Sequence, residues 1–475
     1  MIEPVAEGGT EPTGPGPAPV TGPDGAESPV ARPAPTADRR PGLRRVHQLV
    51  VPVLLVLAAV VLVSVHVDAY TEVGPIDEMQ HIGYLYEVPD VVVAGDRVGQ
   101  QALEQVACRG LDAKFALPRC GVEPYPAPLF PEAGFNTAYL HPPTYYAITR
   151  VIAGGVAALN GITDLVTAGR LAGAVWLAAG LVLSYAAGRR LGATPLQLLG
   201  PLLLVAASPA VLMPSATVNP DAASLAVGGG CLLLVVLWTR RSGRMRWGLL
   251  VVAGVVAEVV KVQNLVVLLA LALFLLLPVI FEDRTTRRPL LFSRALAVVT
   301  LAVPAVVVAA GWTVAVRLLA AIPPADVPMS RRFAVDSLTA SDLVLDAGRF
   351  LTPLANPYTP PPLEGATTSA ALLLTSVLLA AGLVASSVFD DHRGPTRFLG
   401  TAVAVVGLLG PPFLVVLIFV TQGLYFAIPD RYGLTLVPMM VVLLALRLTR
   451  RWSALAVAGL GVAAVVAACV ELAVV

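Results

Sequence analysis

The sequence predicts an all-α polytopic membrane protein. Mean hydropathy is +0.78 over 475 residues. Only 13% of residues are charged, where soluble domains run nearer ~25%. Apolar runs long enough to cross a bilayer recur from residue 49 onward, separated by polar stretches. The formal net charge of +1 is too small to draw nucleic acid to the surface, so no nucleic-acid partner is expected.

Residues 1–46 are rich in Pro, Gly, Ala and Thr, as in "EGGTEPTGPGPAPVTGPDGAESPVARPAP". Such a stretch cannot bury enough apolar surface to offset its ordering entropy, so a disordered cytoplasmic segment is expected. Residues 47–475 form the membrane-embedded domain. Its first run, "LVVPVLLVLAAVVLVSVHV" (49–67), follows "RRPGLRRVHQ", and those arginines place the N-terminus in the cytoplasm. The run is too long for a signal-peptide core and no small-residue cleavage site follows, so it stays uncleaved.

Residues 68–142 then form a first outer loop, long enough for a small subdomain with short juxtamembrane helices. Within it, Cys108 and Cys120 suit a disulfide in an oxidising compartment, whereas Cys231 and Cys469 lie in apolar runs as small hydrophobes. Further apolar runs fall near 143–158, 166–187, 195–213, 221–238, 247–260, 264–281, 296–318, 369–388, 398–420, 433–447 and 453–475. Arginine-rich loops at 239–246, 282–294, 390–397 and 447–451 mark the cytoplasmic side. The second outer loop, 319–366, and a shorter one at 421–433 fall opposite. An inside N-terminus and outside C-terminus need an odd number of crossings. The run 143–158, with Arg150 and two glycines, is therefore expected to be re-entrant or tilted. About eleven spans remain, with about ten to thirteen as the range.

The stretch "GPIDEMQHIGY" (74–84) stands just beyond the first run. On a helix, Asp77 and His81 share a face at i,i+4, with Glu78 turned about 100° away. A carboxylate at the membrane boundary can stay ionised yet partly desolvated, which suits a general base acting on a hydroxyl. A solvated helix cap is the competing reading. "DEMQH" differs from the H-E-x-x-H zinc motif only at its first residue, but that change removes a preferred ligand, so zinc-protease chemistry is not expected. A divalent cation held by Asp77, Glu78 and His81 and shared with a phosphate stays open; no other cofactor is implied.

Four more segments place polar groups between apolar ones. In "AYLHPPTYYAITR" (138–150), Pro142 and Pro143 can open a helix and fix His141 at the membrane surface. Tyr145 and Tyr146 also fit an interfacial aromatic belt. In "VNPDAAS" (218–224), Asn219 and Asp221 face outward, although the motif is also ordinary turn and N-cap chemistry.

The sharpest signal is "VVAEVVKVQNLVV" (256–268), where Glu258, Lys261, Gln263 and Asn264 interrupt an apolar stretch. A charge near the bilayer centre costs ~2.5–3.5 kcal/mol on insertion scales, so it faces a cavity or a partner. Lys261 and Lys114 are the only lysines in a chain whose other basic residues are arginines. A hairpin with Lys261 at its outward turn is expected, against a purely structural Glu258–Lys261 pair. In "AIPDRYGLTLVPMM" (427–440), Arg431 and Tyr432 stand at a helix entrance. There an arginine can clamp a phosphate through two hydrogen bonds or snorkel to headgroups.

Taken in order, "DE..H" after the first helix, "HPP.YY", "GRLAGAVWLAAGLVLSYAAGRRLG" (169–192), "NPDA", the lone lysine and "RY" followed by proline resemble the GT-C-type membrane glycosyltransferases. These use lipid-phosphate sugars and include protein O-mannosyltransferases and aminoarabinose transferases. A branch of bacterial multi-pass proteins shares the opening and closing motifs. The resemblance covers about residues 70–440 and implies a GT-C-like core. It implies that Asp77 is the catalytic acid of the first outer loop with Glu78 beside it. It also implies that His81 and His141 are loop-motif positions and that Lys261 and Arg431 face the donor phosphate.

The expected activity is inverting sugar transfer from a polyprenyl-phosphate donor to a hydroxyl of a glycan or other acceptor. It would occur at the outer face of the plasma membrane, among membrane lipids, in cell-envelope synthesis with an arabinofuranosyl or mannosyl donor. A transporter or flippase of a lipid-linked sugar or other solute is the second reading, and a non-catalytic envelope scaffold the third.

Overall fold

The computed structural model describes residues 41–111, 115–355, 365–391 and 394–474, with side chains from residue 49 onward except Arg284. Residues 46–475 form one compact unit. The segment 1–40, expected to be disordered, lies outside the described residues; a helix already begins at Pro41, ahead of the expected boundary at 46.

The described residues are helical, and their β pairing is limited to two isolated bridges, Arg97 with Phe135 and Ala334 with Leu424. α1 (Pro41–Ala69) leads into the first long loop, expected to lie outside, which carries the short α2 (Glu78–Glu87) and α3 (Gln100–Arg109). α4 (Thr144–Asn160) starts directly after Pro142 and Pro143, as proline chemistry at a first turn predicts. Asp164 caps α5 (Leu165–Leu191) by accepting from the amides of Val166 and Thr167, and Gly192 ends it in the left-handed conformation.

α6 (Pro195–Ala207) and α7 (Pro209–Ser215) are bent by 66° at Ser208. Pro209 forces the residue before it out of the helical region, so the break is written in the sequence. α8 (Ser224–Arg240), α9 (Met245–Val260), α10 (Leu265–Ile280) and α11 (Arg284–Leu319) follow. α12 (Pro328–Phe333) and α13 (Ala340–Asp346) occupy the second outer loop, and α14 (Ala366–Val388), α15 (Pro395–Gln422), α16 (Val437–Arg447) and α17 (Arg451–Val474) complete the chain.

Eight of these helices are long and apolar enough to cross a membrane, or nine if the bent pair counts as one span. The protein is a multi-pass membrane protein. Two of the eleven expected runs fall outside this measure because α9 and α16 are only 16 and 11 residues long. α4, the run set aside as re-entrant or tilted, is an unbroken helix of 17 residues that is not among these spans, and a sharp bend falls between α6 and α7. α5 and α8 pack along each other at the centre, α6 lies on α17, and α9 on α11.

The loops make two sets of contacts. In one, the amides of Ala321 and Ile322 donate to the Ala94 carbonyl, Tyr425 N donates to Phe333 O, and Val335 N to Gly423 O. These bonds stitch together the first outer loop, the second outer loop and residues 421–433. In the other, Arg447 pairs with Asp390, Gln197 Nε2 donates to Leu448 O, and the guanidiniums of Arg246 and Arg294 lie over the Trp238 ring.

Candidate active site

Asp77 is the N-cap of α2, with φ at 55°. This left-handed conformation is uncommon for a residue other than glycine and is best tolerated by Asp and Asn. The turn sends the two neighbouring carboxylates to different places. Glu78 points inward and is 1% exposed, whereas Asp77 keeps accessible surface.

Every oxygen of Glu78 is engaged. Oε1 accepts from Arg170 Nε at 2.9 Å and from Val218 N at 2.9 Å, and Oε2 from Arg170 Nη2 at 2.7 Å and from Gly74 N at 2.5 Å. Arg170 also donates to the carbonyls of Tyr70 and Glu72. A carboxylate so enclosed has no route to a substrate proton. The pair of catalytic carboxylates expected from the sequence reduces to one accessible group, with Glu78 tying the first outer loop, α5 and residue 218 together.

Asp77 is exposed to solvent at its surface. Burial is the main influence on its carboxyl and raises it above the ordinary carboxylate range. The Arg431 guanidinium opposes this most, and Glu132, Lys261 and Asp221 also act on it.

The cations that face Asp77 meet on a second acid. Lys261 Nζ is paired with Asp221 Oδ1, and Arg431 Nε donates to Asp221 Oδ2 at 3.1 Å. Lys261 Nζ also lies 4.3 Å from the centre of the Tyr432 ring, with the Arg431 guanidinium 5.6 Å from it. Local sequence explains each position. Asn219, extended before Pro220, accepts the Asp221 amide at 2.9 Å on its own Oδ1 and so fixes the turn. Lys261 is an extended residue between α9 and α10. The break is closed by Asn264, whose Nδ2 donates to the orphan carbonyl of Ala257 at 3.1 Å. Glu258 does not pair with Lys261: both its oxygens are buried without a hydrogen-bond partner.

A cluster of aromatic groups forms another wall. His81 Nδ1 lies 2.7 Å from the Tyr146 hydroxyl, and the rings of His81 and His141 are 5.6 Å apart. Tyr146 stacks on Tyr84 at 4.1 Å, and the Tyr145 hydroxyl accepts the Asn219 amide at 3.2 Å. Tyr145 and Tyr146 are thus internal, 1% and 0% exposed, and not part of a surface belt. Burial holds the His81 imidazole well below its usual range and lowers that of His141 to about 3, with Lys261 and Arg431 adding to both.

Among the described residues no group of three or more His, Cys, Asp or Glu side chains is arranged to hold a metal. Asp77, Glu78 and His81 do not converge, because Glu78 is bound to Arg170 and His81 to Tyr146. A recess of about 320 Å³ beside α14, lined by Leu372, Leu373 and Val377, is apolar and contains none of these groups.

The expected disulfide, Cys108–Cys120, is present. Sequence reading did not single out Arg170. Its signal was there: it is the one charge between Asp164 and Arg189 along α5, and a charge in an apolar helix needs a partner.

No family model matches the chain, and no curated protein does. Among solved structures, it is similar to ArnT from Cupriavidus metallidurans in the apo state, at 17% identity and a TM-score of 0.46, over 86% of this chain and 60% of that one. It is also similar to ArnT from the same organism bound to undecaprenyl phosphate, at 17% identity and 0.45, over 84% and 60%. The chain spans about 60% of the length of these proteins. At this identity the likeness is one of fold alone.

Proposed function

We propose that the protein is an inverting glycosyltransferase. It moves a sugar from a polyprenyl-phosphate donor to an acceptor hydroxyl on the extracytoplasmic face, in cell-envelope glycan synthesis. One observation carries this reading: the exposed carboxylate of Asp77 acts electrostatically on two cations, Lys261 and Arg431, that share the buried Asp221. That is the charge layout needed to activate a hydroxyl beside a phosphate leaving group.

Asp77 accepts the proton as the acceptor oxygen attacks the anomeric carbon. The bond from that carbon to the phosphate oxygen breaks, and its electron pair leaves on the phosphate. Lys261 and Arg431 neutralise the charge that develops there. The phosphate is already a good leaving group, so no separate general acid is required. Tyr432 lies against both cations, His81 and His141 lie within their electrostatic reach with the two imidazoles uncharged near neutral pH, and Asn219 holds Asp221 in place. Positive-inside asymmetry would put the arginine-rich loops in the cytoplasm and this cluster outside. Sugar nucleotides do not reach that side, so a donor carried by a membrane lipid fits.

The test uses purified protein in liposomes with radiolabelled polyprenyl-phosphate mannose or arabinofuranose and a glycan acceptor. Label covalently joined to the acceptor with inverted anomeric configuration supports the transferase. Movement of intact donor between leaflets without transfer supports the flippase instead.

A further inference from the structure

We propose that Asp221 tunes the Lys261–Arg431 cation pair to hold a monoanionic phosphodiester and to reject a dianionic phosphomonoester, so that the spent lipid phosphate is released. This rests on the transferase reading and concerns which ligand charge the site selects.

The charges can be followed atom by atom. Lys261 and Arg431 bring two positive charges, and Asp221 touches both, one through each of its oxygens. With Asp77, which also acts on both cations, ionised, the four side chains sum to zero; with Asp77 protonated one positive charge is left over. A sugar-phosphate diester adds a single negative charge to the neutral site. During transfer the proton of the acceptor hydroxyl goes to Asp77, and the electron pair of the broken carbon–oxygen bond goes to the phosphate. The total charge is conserved, but one negative charge has moved from Asp77 to the lipid phosphate. That product is a monoester with a second pKa of about 6, so it is largely dianionic at neutral pH; the sum is unchanged until Asp77 loses its proton to solvent, and the site then holds one negative charge more than it did with the donor.

Asp221 cannot step aside to relieve the mismatch. It is 3% exposed, its amide is held by Asn219 Oδ1 at 2.9 Å, and Asn219 is in turn held by the Tyr145 hydroxyl at 3.2 Å. Tyr432, the ring beside both cations, adds no charge of its own. A site made of the lysine and arginine alone would bind the dianion better and be inhibited by its own product.

The experiment compares farnesyl phosphate, a monoester, with farnesyl methyl phosphate, a diester of the same lipid, binding to the full chain in nanodiscs at pH 7.5. Wild type is expected to bind the diester at least as tightly as the monoester. In Asp221→Asn the order should reverse, the monoester gaining about tenfold relative to the diester, the size of one close charge pair. Asp221→Glu should keep the wild-type order. Wild type binding the monoester about tenfold tighter would overturn the proposal without any variant, as would an unchanged ratio in a folded Asp221→Asn protein. Binding of both lipids with the wrong ratio refutes only this proposal, whereas binding of neither refutes the transferase reading and this with it.

Discussion

Arg170 and Glu78 meet through two parallel hydrogen bonds, 2.9 Å from Nε to Oε1 and 2.7 Å from Nη2 to Oε2, with both side chains 1% exposed. The pair anchors the backbone on either side of Asp77, since Glu78 accepts the Gly74 amide and Arg170 donates to the carbonyls of Tyr70 and Glu72. Removing one partner of a buried pair leaves the other uncompensated and costs about 3–5 kcal/mol. Arg170→Gln should therefore lower the melting temperature strongly and abolish donor turnover. Arg170→Lys keeps the charge but loses the planar fork and should fall between. Thermal unfolding in detergent, with transfer measured on the surviving folded fraction, checks both.

Arg431 depends on one close helix contact. A Cβ built on Gly228 of α8 would stand 2.2 Å from the carbonyl oxygen of Thr435, in the segment that carries Arg431. On Gly230 it would meet nothing nearer than 3.7 Å. Gly228→Ala should push residues 430–436 away from Asp221, costing about 1–3 kcal/mol as overpacking does and weakening donor binding. Gly230→Ala should leave both within about 0.5 kcal/mol. Equal behaviour of the two variants would remove the packing basis for placing Arg431.

Acid should destabilise the fold before it titrates the carboxylates fully. His141 is lowered to about 3 and His81 well below its usual range, chiefly by burial, while in the unfolded chain both titrate near ~6.5. Between those values the unfolded state binds more protons, so stability rises with pH. The contribution is complete above about 6.5 and is lost progressively as pH falls toward the folded values. Melting temperature measured from pH 7 to 5 should fall, and less steeply in His141→Gln.

Catalysis carries its own pH signature. Burial raises the Asp77 carboxyl despite the opposing Arg431, and a general base works only when deprotonated. The acid limb of kcat/KM should therefore lie above the ordinary aspartate range near ~3.9. An acid limb at or below that range would mean that another group supplies the base.

Much of this arrangement was legible because polar groups in apolar surroundings are costly and therefore informative. Asn219, Asp221, Lys261 and Arg431 each interrupt an apolar stretch, and the fold brings them to one place. The division of labour between Asp77 and Glu78 was not legible. It depends on a left-handed turn at residue 77, and no periodicity reports that. Arg170 was hidden by the chain's general preference for arginine over lysine. The span count was not legible either, because apolar runs do not reveal where a helix stops: α9 ends at Val260 and α16 has only 11 residues. Tyr145 and Tyr146 fitted a surface belt by composition, and only packing against His81 and Asn219 places them inside.

The most direct measurement is single-turnover transfer of labelled sugar from a polyprenyl-phosphate donor by wild type and Asp77→Asn, with donor affinity determined on the same preparations. Loss of the exposed carboxylate facing Lys261 and Arg431 should lower the transfer rate by about 10²–10⁴-fold, the usual contribution of a positioned general base, while donor binding and melting temperature stay close to wild type. Transfer by Asp77→Asn at the wild-type rate would contradict the account.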